Sequence, residues 1–249
     1  MTIKKEEVVA KGIVLTSKPY KESDALITVY FKEYGKMTLI ARGVKKIKSK
    51  NASALMPLTY SEITFIPRVG LSTLVKASSQ CFYRYIKEDL FLEAYASYFV
   101  EFIIRNESDN LPDANIFNYL KQSLDLLEQG YVPQLIYLLY NVFVLKQIGS
   151  PLMVDGCSQC GRTDHIAGIS FQGGGFVCSH CLSLYDYRLN KDQLKQFRHL
   201  HKIDIQHIDN LKIDEAYYPD FIKIMDRFID EYSGIVFRSR KFIRQISKL

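Results

Sequence analysis

The first third of the chain alternates apolar and polar residues with the period of two that is typical of half-buried β-strands. Five segments rich in Val, Ile, Thr, Tyr and Phe carry the pattern: 12–16, 25–31, 37–42, 60–66 and 71–77. A short glycine-containing connection joins the second segment to the third, which predicts an antiparallel hairpin. Five strands in this length predict a small closed barrel, and the OB fold is the most economical choice. An SH3-like barrel would leave nearly the same pattern.

From residue 86 onward the apolar residues recur at spacings of three and four, which predicts helices. One stripe begins at Phe91, and a second ends at Gly130. A third helix begins at Pro133 and is apolar nearly all round, so we expect it to be the buried centre of a bundle. The helical period resumes at Leu194 and again at Phe221. We interpret the aromatic residues at this spacing as core packing.

The change of period predicts a multidomain α+β protein. We expect a five-stranded OB-fold β-barrel domain at residues 1–80, followed by an all-α helical domain at 81–249 with an inserted four-cysteine zinc module at 152–185. The longest apolar run, 135–145, falls short of the roughly 20 residues that a membrane span needs. The N-terminus has no apolar stretch of the kind that a secretory signal requires. A cytoplasmic protein with no membrane contact is therefore expected.

Composition matters mainly through the placement of charge. The 249 residues carry a formal net charge of +6. Residues 1–80 hold 14 Lys and Arg against 6 Asp and Glu, so the whole surplus lies in the predicted barrel. The densest block, 42–50, has five cations in nine residues and no carboxylate. Such a block attracts polyanions, although a loop that only keeps the protein soluble is the alternative.

Four of the five cysteines form two pairs that are separated by 17 residues. The pairs are Cys157 with Cys160 and Cys178 with Cys181. Two C-x2-C turns at this spacing predict a tetrahedral Zn²⁺ site, one per chain, because each turn directs two sulfurs to one point. A shell of four thiolates has no open position for water, so the zinc is expected to be structural. Disulfides are the competing interpretation, and a reducing cytosol disfavours them.

The sequence lacks the common motifs of catalysis. It has no H-x-E with P-C-x-x-C of the zinc deaminases, no H-E-x-x-H, no G-x-S-x-G and no P-loop. A binding protein without catalytic residues is the interpretation that this favours. The alternatives are a zinc-dependent nucleic-acid-processing enzyme and an OB-fold RNA-binding accessory factor.

Several segments together give the chain a resemblance to the bacterial RecO recombination mediator family. They are Gly12-Ile-Val-Leu, Tyr20-Lys-Glu-Ser-Asp, Ala41-Arg-Gly-Val-Lys-Lys, Leu55-Met-Pro-Leu, Leu145-Lys-Gln-Ile-Gly-Ser-Pro-Leu and the two cysteine pairs. The resemblance implies an OB-fold domain, a helical domain holding the zinc module, and binding and annealing of single- and double-stranded DNA. It also implies action with RecR and with the acidic C-terminal tail of the single-stranded-DNA-binding protein SSB, and help for RecA in loading onto SSB-coated DNA.

The expected DNA contacts follow from the charge. We expect the barrel to bind the phosphate backbone through the cations of its basic segments: Lys32, Lys36, Arg42, Lys45, Lys46, Lys48 and Lys50. Tyr20 and Tyr34, placed in loops, either stack bases or pack against the barrel.

A second candidate surface lies near the end of the printed sequence. The segment with Phe237, Arg238, Arg240 and Lys241 mixes basic and apolar residues on one predicted short helix. It either binds the acidic SSB tail or is simply a helix end stabilised by cations.

Overall fold

The computed structural model describes residues 6–246. Its first part is a barrel of five strands: β1 Val8–Tyr20, β2 Asp24–Phe31, β3 Gly35–Ala41, β4 Tyr60–Ile66 and β5 Ser72–Cys81. The strands close in the order β1-β2-β3-β5-β4. All neighbouring pairs are antiparallel except β3 with β5, which is parallel. This arrangement confirms the predicted OB-type barrel.

The barrel interior is filled by the apolar residues of the alternating pattern. Along β3, and along β2 from Asp24 to Val29, buried residues alternate with residues that lie partly in solvent on the outer face. At the end of β2, both Tyr30 and Phe31 are buried. The rings of Phe31 and Phe65 lie 5.1 Å apart inside the barrel. Aliphatic side chains complete this core: Val14, Ile27, Val29, Leu39 and Ile63. The period of two therefore determines which face of each strand points inward.

Seven helices and a small second sheet follow in the described residues. The helices are α1 Arg84–Glu88, α2 Leu90–Asn106, α3 Ala114–Glu128, α4 Pro133–Gln147, α5 Lys191–Lys202, α6 Tyr218–Tyr232 and α7 Arg238–Ile246. The second sheet consists of β6 Ile166–Ser170, β7 Gly175–Cys178 and β8 Tyr187–Arg188, with β6 in the middle. Short 3₁₀ turns lie at Ser53–Leu55, Ile205–Asn210 and Glu215–Tyr217.

Local chemistry accounts for the helix boundaries. Asp89 and Asp113 each cap the following helix by accepting hydrogen bonds from two backbone N–H groups of its first turn. In α4, every residue from Leu135 to Leu145 is buried, as the apolar pattern predicts for the centre of a bundle. Amphipathic helices pack their apolar face inward, and α5 buries Leu194 and Phe197 in this way.

The chain divides into two compact units. The first contains the barrel, α1 to α3 and α7, and the second runs from Gly130 to Val236. The predicted boundary at residues 80 and 81 falls at the end of β5, within the first unit. The four-cysteine module lies within the second. The absence of a secretory signal was predicted from the first residues of the chain, and residues 1–5 lie outside those described.

Candidate metal centre and nucleic-acid surface

The four paired cysteines stand on two tight turns at one end of the β6–β7 hairpin. In the first turn, Gly161 N–H donates to the Cys157 carbonyl at 2.8 Å, and in the second, Leu182 N–H donates to the Cys178 carbonyl at 2.9 Å. The backbone of Gly161 has φ +75°, a conformation that favours glycine directly after the pair. The hairpin spacer brings the two turns together, as the sequence predicts.

The four sulfurs of Cys157, Cys160, Cys178 and Cys181 all lie within 4.8 Å of one another, and the Sγ atoms of Cys160 and Cys178 are 3.7 Å apart. A tetrahedral zinc site with bonds of about 2.3 Å places its sulfurs roughly 3.8 Å apart. The residues therefore fit a tetrahedral thiolate-bound metal ion. All four cysteines are free thiols in this structure, so they do not form the competing disulfides, whose bonded sulfurs would lie about 2 Å apart.

The crowding of the thiols changes their acidity in opposite directions. Burial raises the pKa of Cys157, but backbone N–H groups around Cys178 and Cys160 outweigh it and lower the pKa to about 6. Contacts with the sulfurs of Cys160 and Cys178 raise the pKa of Cys181 to about 12. Four adjacent thiolates repel each other, so a divalent cation would stabilise the fully deprotonated cluster.

The cysteines also form the core of their module. Cys157, Val177 and Cys178 are buried together, with Ile166 and Leu182 packed beside them. Such a core is far too small to hold a fold by hydrophobic burial alone, so the sulfur cluster is its main cross-link.

The basic segment 42–50 follows β3 and is fixed to the barrel through its backbone. Gly43 N–H donates to the Asp24 carboxylate at 2.8 Å, and Lys45 N–H donates to the Ser23 carbonyl at 3.0 Å. Val44, between them, is buried in the barrel core. We call residues 42–50 the basic loop. Its backbone is held against the β1–β2 turn, so the positions from which its side chains extend are fixed.

The cations of the basic loop point into solvent. Arg42, Lys45, Lys46, Lys48 and Lys50 are all exposed. Among residues 6–246, none of these five cations forms a salt bridge with an acidic side chain. The loop is therefore a concentrated and uncompensated positive charge on the barrel surface.

Tyr20 and the basic loop lie at the same end of the barrel. Tyr20 is the last residue of β1 and not a loop residue, which corrects the expectation, and it is half-buried opposite Asp24. The same strand end carries two further exposed cations, Lys18 and Lys21. These two lysines lie outside the predicted set of DNA contacts, although the strand register places them beside the loop.

The β2–β3 turn lies at the opposite end of the same strands. At a rise of about 3.3 Å per residue, β2 spans about 23 Å from Asp24 to Phe31, and the exposed Lys32 lies just beyond that end. Tyr34 packs the edge of its ring against Phe31 and Phe65 and is 37% exposed. The structure therefore separates Lys32 and Tyr34 from the basic loop.

Lys36 is occupied by internal contacts, in contrast to the expectation of a DNA-facing side chain. Its Nζ donates to the carbonyls of Ile104 and Glu107 at 3.1 and 2.6 Å and lies 3.3 Å from an Asp109 carboxylate oxygen. Only 13% of the side chain is exposed. The ammonium group fixes the β2–β3 turn to the end of α2, so we leave Lys36 out of the candidate surface.

Comparison with known proteins agrees with this architecture along nearly the whole chain. Residues 4–81 match the family described as "Recombination protein O N terminal", and residues 87–241 match "Recombination protein O C terminal". "DNA repair protein RecO" of Listeria monocytogenes is 30% identical over 240 residues, which cover 96% of this chain and 94% of the relative. The chain belongs to the RecO family. Membership in the RecO family places it among the proteins of DNA repair and recombination.

Other RecO relatives agree in extent and similarity. The protein of the same name from Bacillus pumilus is 29% identical over 242 residues, covering 96% of this chain and 94% of the relative. The protein of the same name from Halalkalibacterium halodurans is 28% identical over 242 residues, which cover 96% of this chain and 95% of the relative. None of the helices among residues 6–246 is both long and apolar enough to span a membrane.

The candidate peptide surface on α7 is only partly available in this member of the RecO family. Phe237 is buried against the Tyr98 ring, with 5.0 Å between the ring centres, and Arg240 is 3% exposed. These two placements correct the expectation that both side chains face a partner. Arg238 and Lys241 are exposed.

Glu101 of α2 holds the beginning of α7 and was not among the residues predicted from the sequence. Its carboxylate accepts hydrogen bonds from the backbone N–H groups of Arg238 and Ser239 at 3.1 and 2.9 Å, and from the Ser239 hydroxyl at 2.7 Å. It also accepts from Arg105 Nε at 3.0 Å. Glu101 thus caps the beginning of α7 from a helix more than a hundred residues earlier, and no local sequence signal indicates this partner.

Proposed function

We propose that this protein binds single- and double-stranded DNA, anneals complementary strands and, together with RecR, helps RecA load onto SSB-coated DNA. The observation that supports this most directly is the basic loop: five exposed cations on an OB-type barrel in a chain of the RecO family. An OB barrel with such a loop suits a backbone-binding role, in which phosphates supply most of the affinity.

DNA contacts are proposed at the end of the barrel that carries the loop. Arg42, Lys45, Lys46, Lys48 and Lys50 bind phosphates, and Tyr20 stacks on a base beside them. Lys18 and Lys21 extend the same surface along β1. Lys32 and Tyr34 form a separate contact at the opposite end of the barrel. A DNA strand reaches both contacts only if it runs along the barrel.

Annealing follows from charge neutralisation at this surface. Two DNA strands repel each other through their phosphates, and five fixed cations lower that repulsion. Since phosphate contacts carry no sequence information, the binding has little sequence preference. Pairing is then limited by the encounter of the two strands.

The bound metal is proposed to be one structural Zn²⁺ per chain, held by Cys157, Cys160, Cys178 and Cys181. The C-x2-C pairs and the sulfur separations suit zinc, whose thiolate sites are tetrahedral and closed when structural. Zinc supplies the cross-link of the module and takes no part in catalysis. The protein acts by binding and not by catalytic turnover.

The protein partners are proposed from family membership. RecR and the acidic SSB tail are the expected partners, and RecA is the functional recipient. On α7, Arg238 and Lys241 remain as exposed cations for an acidic peptide, whereas Phe237 and Arg240 are buried.

Strand annealing on SSB-coated oligonucleotides tests DNA contact and partner contact together. A variant with all five loop cations changed to Glu should lose annealing and single-strand binding, and normal binding would refute the assignment. The double variant Lys46→Glu/Lys48→Glu has a matched control in Lys212→Glu/Lys223→Glu, which makes the same change in net charge at exposed lysines of the second unit. Cleavage of labelled DNA on adding Mg²⁺ or Mn²⁺ would contradict the non-enzymatic role.

A further inference from the structure

The basic loop carries one aliphatic side chain that lies entirely in water. Among the large apolar side chains of the described residues, three are almost completely exposed: Ile47, Val69 and Leu184. Ile47 differs from the other two because a lysine precedes it directly and another follows it directly. The most cationic segment of the chain therefore also presents an apolar group to its ligand.

A tight turn places Ile47 at the tip of the loop. Ser49 N–H donates to the Lys46 carbonyl at 2.9 Å and closes a β-turn. Ile47 and Lys48 are the two central residues of that turn. The preceding turn is closed by Lys46 N–H, which donates to the Gly43 carbonyl at 3.1 Å. Two consecutive hydrogen-bonded turns thus connect Ile47 to the part of the loop that is fixed to the barrel.

The two apolar residues of the loop have opposite placements. Val44 is buried in the barrel core and helps to hold the loop, whereas Ile47 is surrounded by solvent. A ligand that removes Ile47 from water gains free energy in proportion to the apolar area that it covers. The same ligand must carry anionic groups for the adjacent lysines. Stacked base pairs between two sugar-phosphate strands combine an apolar interior with such anionic flanks.

An aliphatic side chain at this place favours a duplex over a single strand. Single strands bind largely by stacking their bases on aromatic rings, whose flat faces match those of the bases. Aliphatic side chains such as Ile act differently, since they enter between neighbouring base steps of a duplex as wedges and partly unstack them. The cost of unstacking is offset by the additional protein surface that the distorted duplex contacts.

We propose that Ile47 is a wedge that inserts between two adjacent base pairs of double-stranded DNA and unstacks them. Lys46 and Lys48 bind phosphates beside the opened step and hold the side chain in it. The inference rests on the proposed function, because the basic loop must reach DNA before the wedge can enter. It gives the loop two separable contributions: the cations supply affinity, and Ile47 supplies the distortion of the duplex.

The test compares two probes on the full-length protein. One is a short duplex with 2-aminopurine in place of adenine at TA steps, which open easily, and the fluorescence of this base rises when it is unstacked. The other is an oligo(dT) strand. Ile47→Ser should abolish the fluorescence rise and weaken duplex binding about tenfold, because the buried apolar side chain is lost. Its loss of oligo(dT) affinity should be at most about twofold, since every cation of the loop remains.

Two further variants show whether the effect belongs to the wedge. Ile47→Leu should retain the fluorescence rise, because leucine is also an aliphatic side chain that can enter a base-pair step. Val69→Ser is the matched control, since Val69 is equally exposed in the β4–β5 connection of the same barrel. It should behave as the unaltered protein does on both probes.

Three results would overturn the proposal. One is a fluorescence rise in Ile47→Ser as large as in the unaltered protein. Another is an equal loss of affinity for the two probes, which would make Ile47 a general contact. The third is normal duplex binding by the unaltered protein without any fluorescence rise. In each case the protein still binds DNA, whereas failure of the proposed function would appear as absence of DNA binding by the unaltered protein.

Discussion

The Asp24 carboxylate receives the backbone N–H of Gly43 at a distance of 2.8 Å. This bond joins the beginning of β2 to the base of the basic loop. Gly43 has φ +64°, so the loop turns away from β3 at a position that favours glycine. An acidic residue thus holds the most basic segment of the chain in place.

Replacing Asp24 with Ala should weaken DNA binding although it removes a negative charge. Loss of one such hydrogen bond costs about 1 kcal/mol, and we expect about a fivefold rise in Kd for an oligo(dT) strand because the cations lose their fixed base. Anisotropy titration measures it. Glu22→Ala is the control, since it removes the same charge from an exposed position in the same turn. Equal or tighter binding by Asp24→Ala would show that the loop needs no anchor.

The salt dependence of single-strand binding should report the number of loop cations in contact with phosphates. Five contacts predict a slope of about −3.5 for log K against log salt concentration. Lys48→Gln should reduce the magnitude of the slope by about 0.7, as expected for one lost contact. Lys36→Gln should leave the slope unchanged, because the ammonium group of Lys36 is held by internal acceptors. An equal effect of the two variants would contradict this difference.

Removal of the metal should unfold the small module and leave the barrel intact. We expect Cys178→Ser to retain less than one tenth of the bound zinc, as measured by atomic absorption, because a buried thiolate ligand is lost. Amide exchange should increase in β6 and β7 but not in β1 to β3. Cys81→Ser is the control, since Cys81 lies in β5 of the first unit and should leave the zinc content unchanged.

The Glu101 cap of α7 should make stability depend on pH. Burial raises the pKa of Glu101, but the hydrogen bonds from Ser239, Arg238 and Arg105 outweigh it, so the pKa lies below its usual value. The cap therefore contributes fully above the unfolded-state pKa of about 4.3 and is lost as the pH falls through the folded-state value. Glu101→Gln should lower the free energy of unfolding by about 2 kcal/mol at pH 7, with the difference shrinking below pH 4.

Urea denaturation at pH 7 and at a pH below 4 measures this difference in the free energy of unfolding. Glu93→Gln is a suitable control, because Glu93 lies on the same helix and makes no contact with α7 among the described hydrogen bonds and salt bridges. A pH-independent loss in Glu101→Gln would point to altered packing and not to the charged cap.

Local patterns were sufficient for the barrel strands and for the sulfur cluster. The alternation along β2 and β3 follows from a sheet with one buried face, and the two C-x2-C turns are short enough to be determined by neighbouring residues. The fully buried α4 was likewise indicated by its apolar surface on all sides.

The side-chain partners of individual cations could not be predicted, because they come from distant segments. The acceptors of Lys36 lie about seventy residues further along the chain, in the segment that ends α2. Arg240 is buried on α7, whose neighbour α2 is more than a hundred residues away. The number of cations counted in the sequence is therefore only an upper limit on the number that are exposed at the surface.

The bonds from Glu101 to the first turn of α7 make the barrel-bearing unit discontinuous in sequence, with residues 130–236 intervening between its two parts. During translation, the barrel strands emerge well before the helix that completes their unit. Until Phe237 and α7 arrive, the Tyr98 ring of α2 lacks the aromatic contact that Phe237 makes with it. A truncation before residue 237 would keep every cation of the basic loop and every sulfur of the metal site, yet it would lack this contact and the helix that completes the unit.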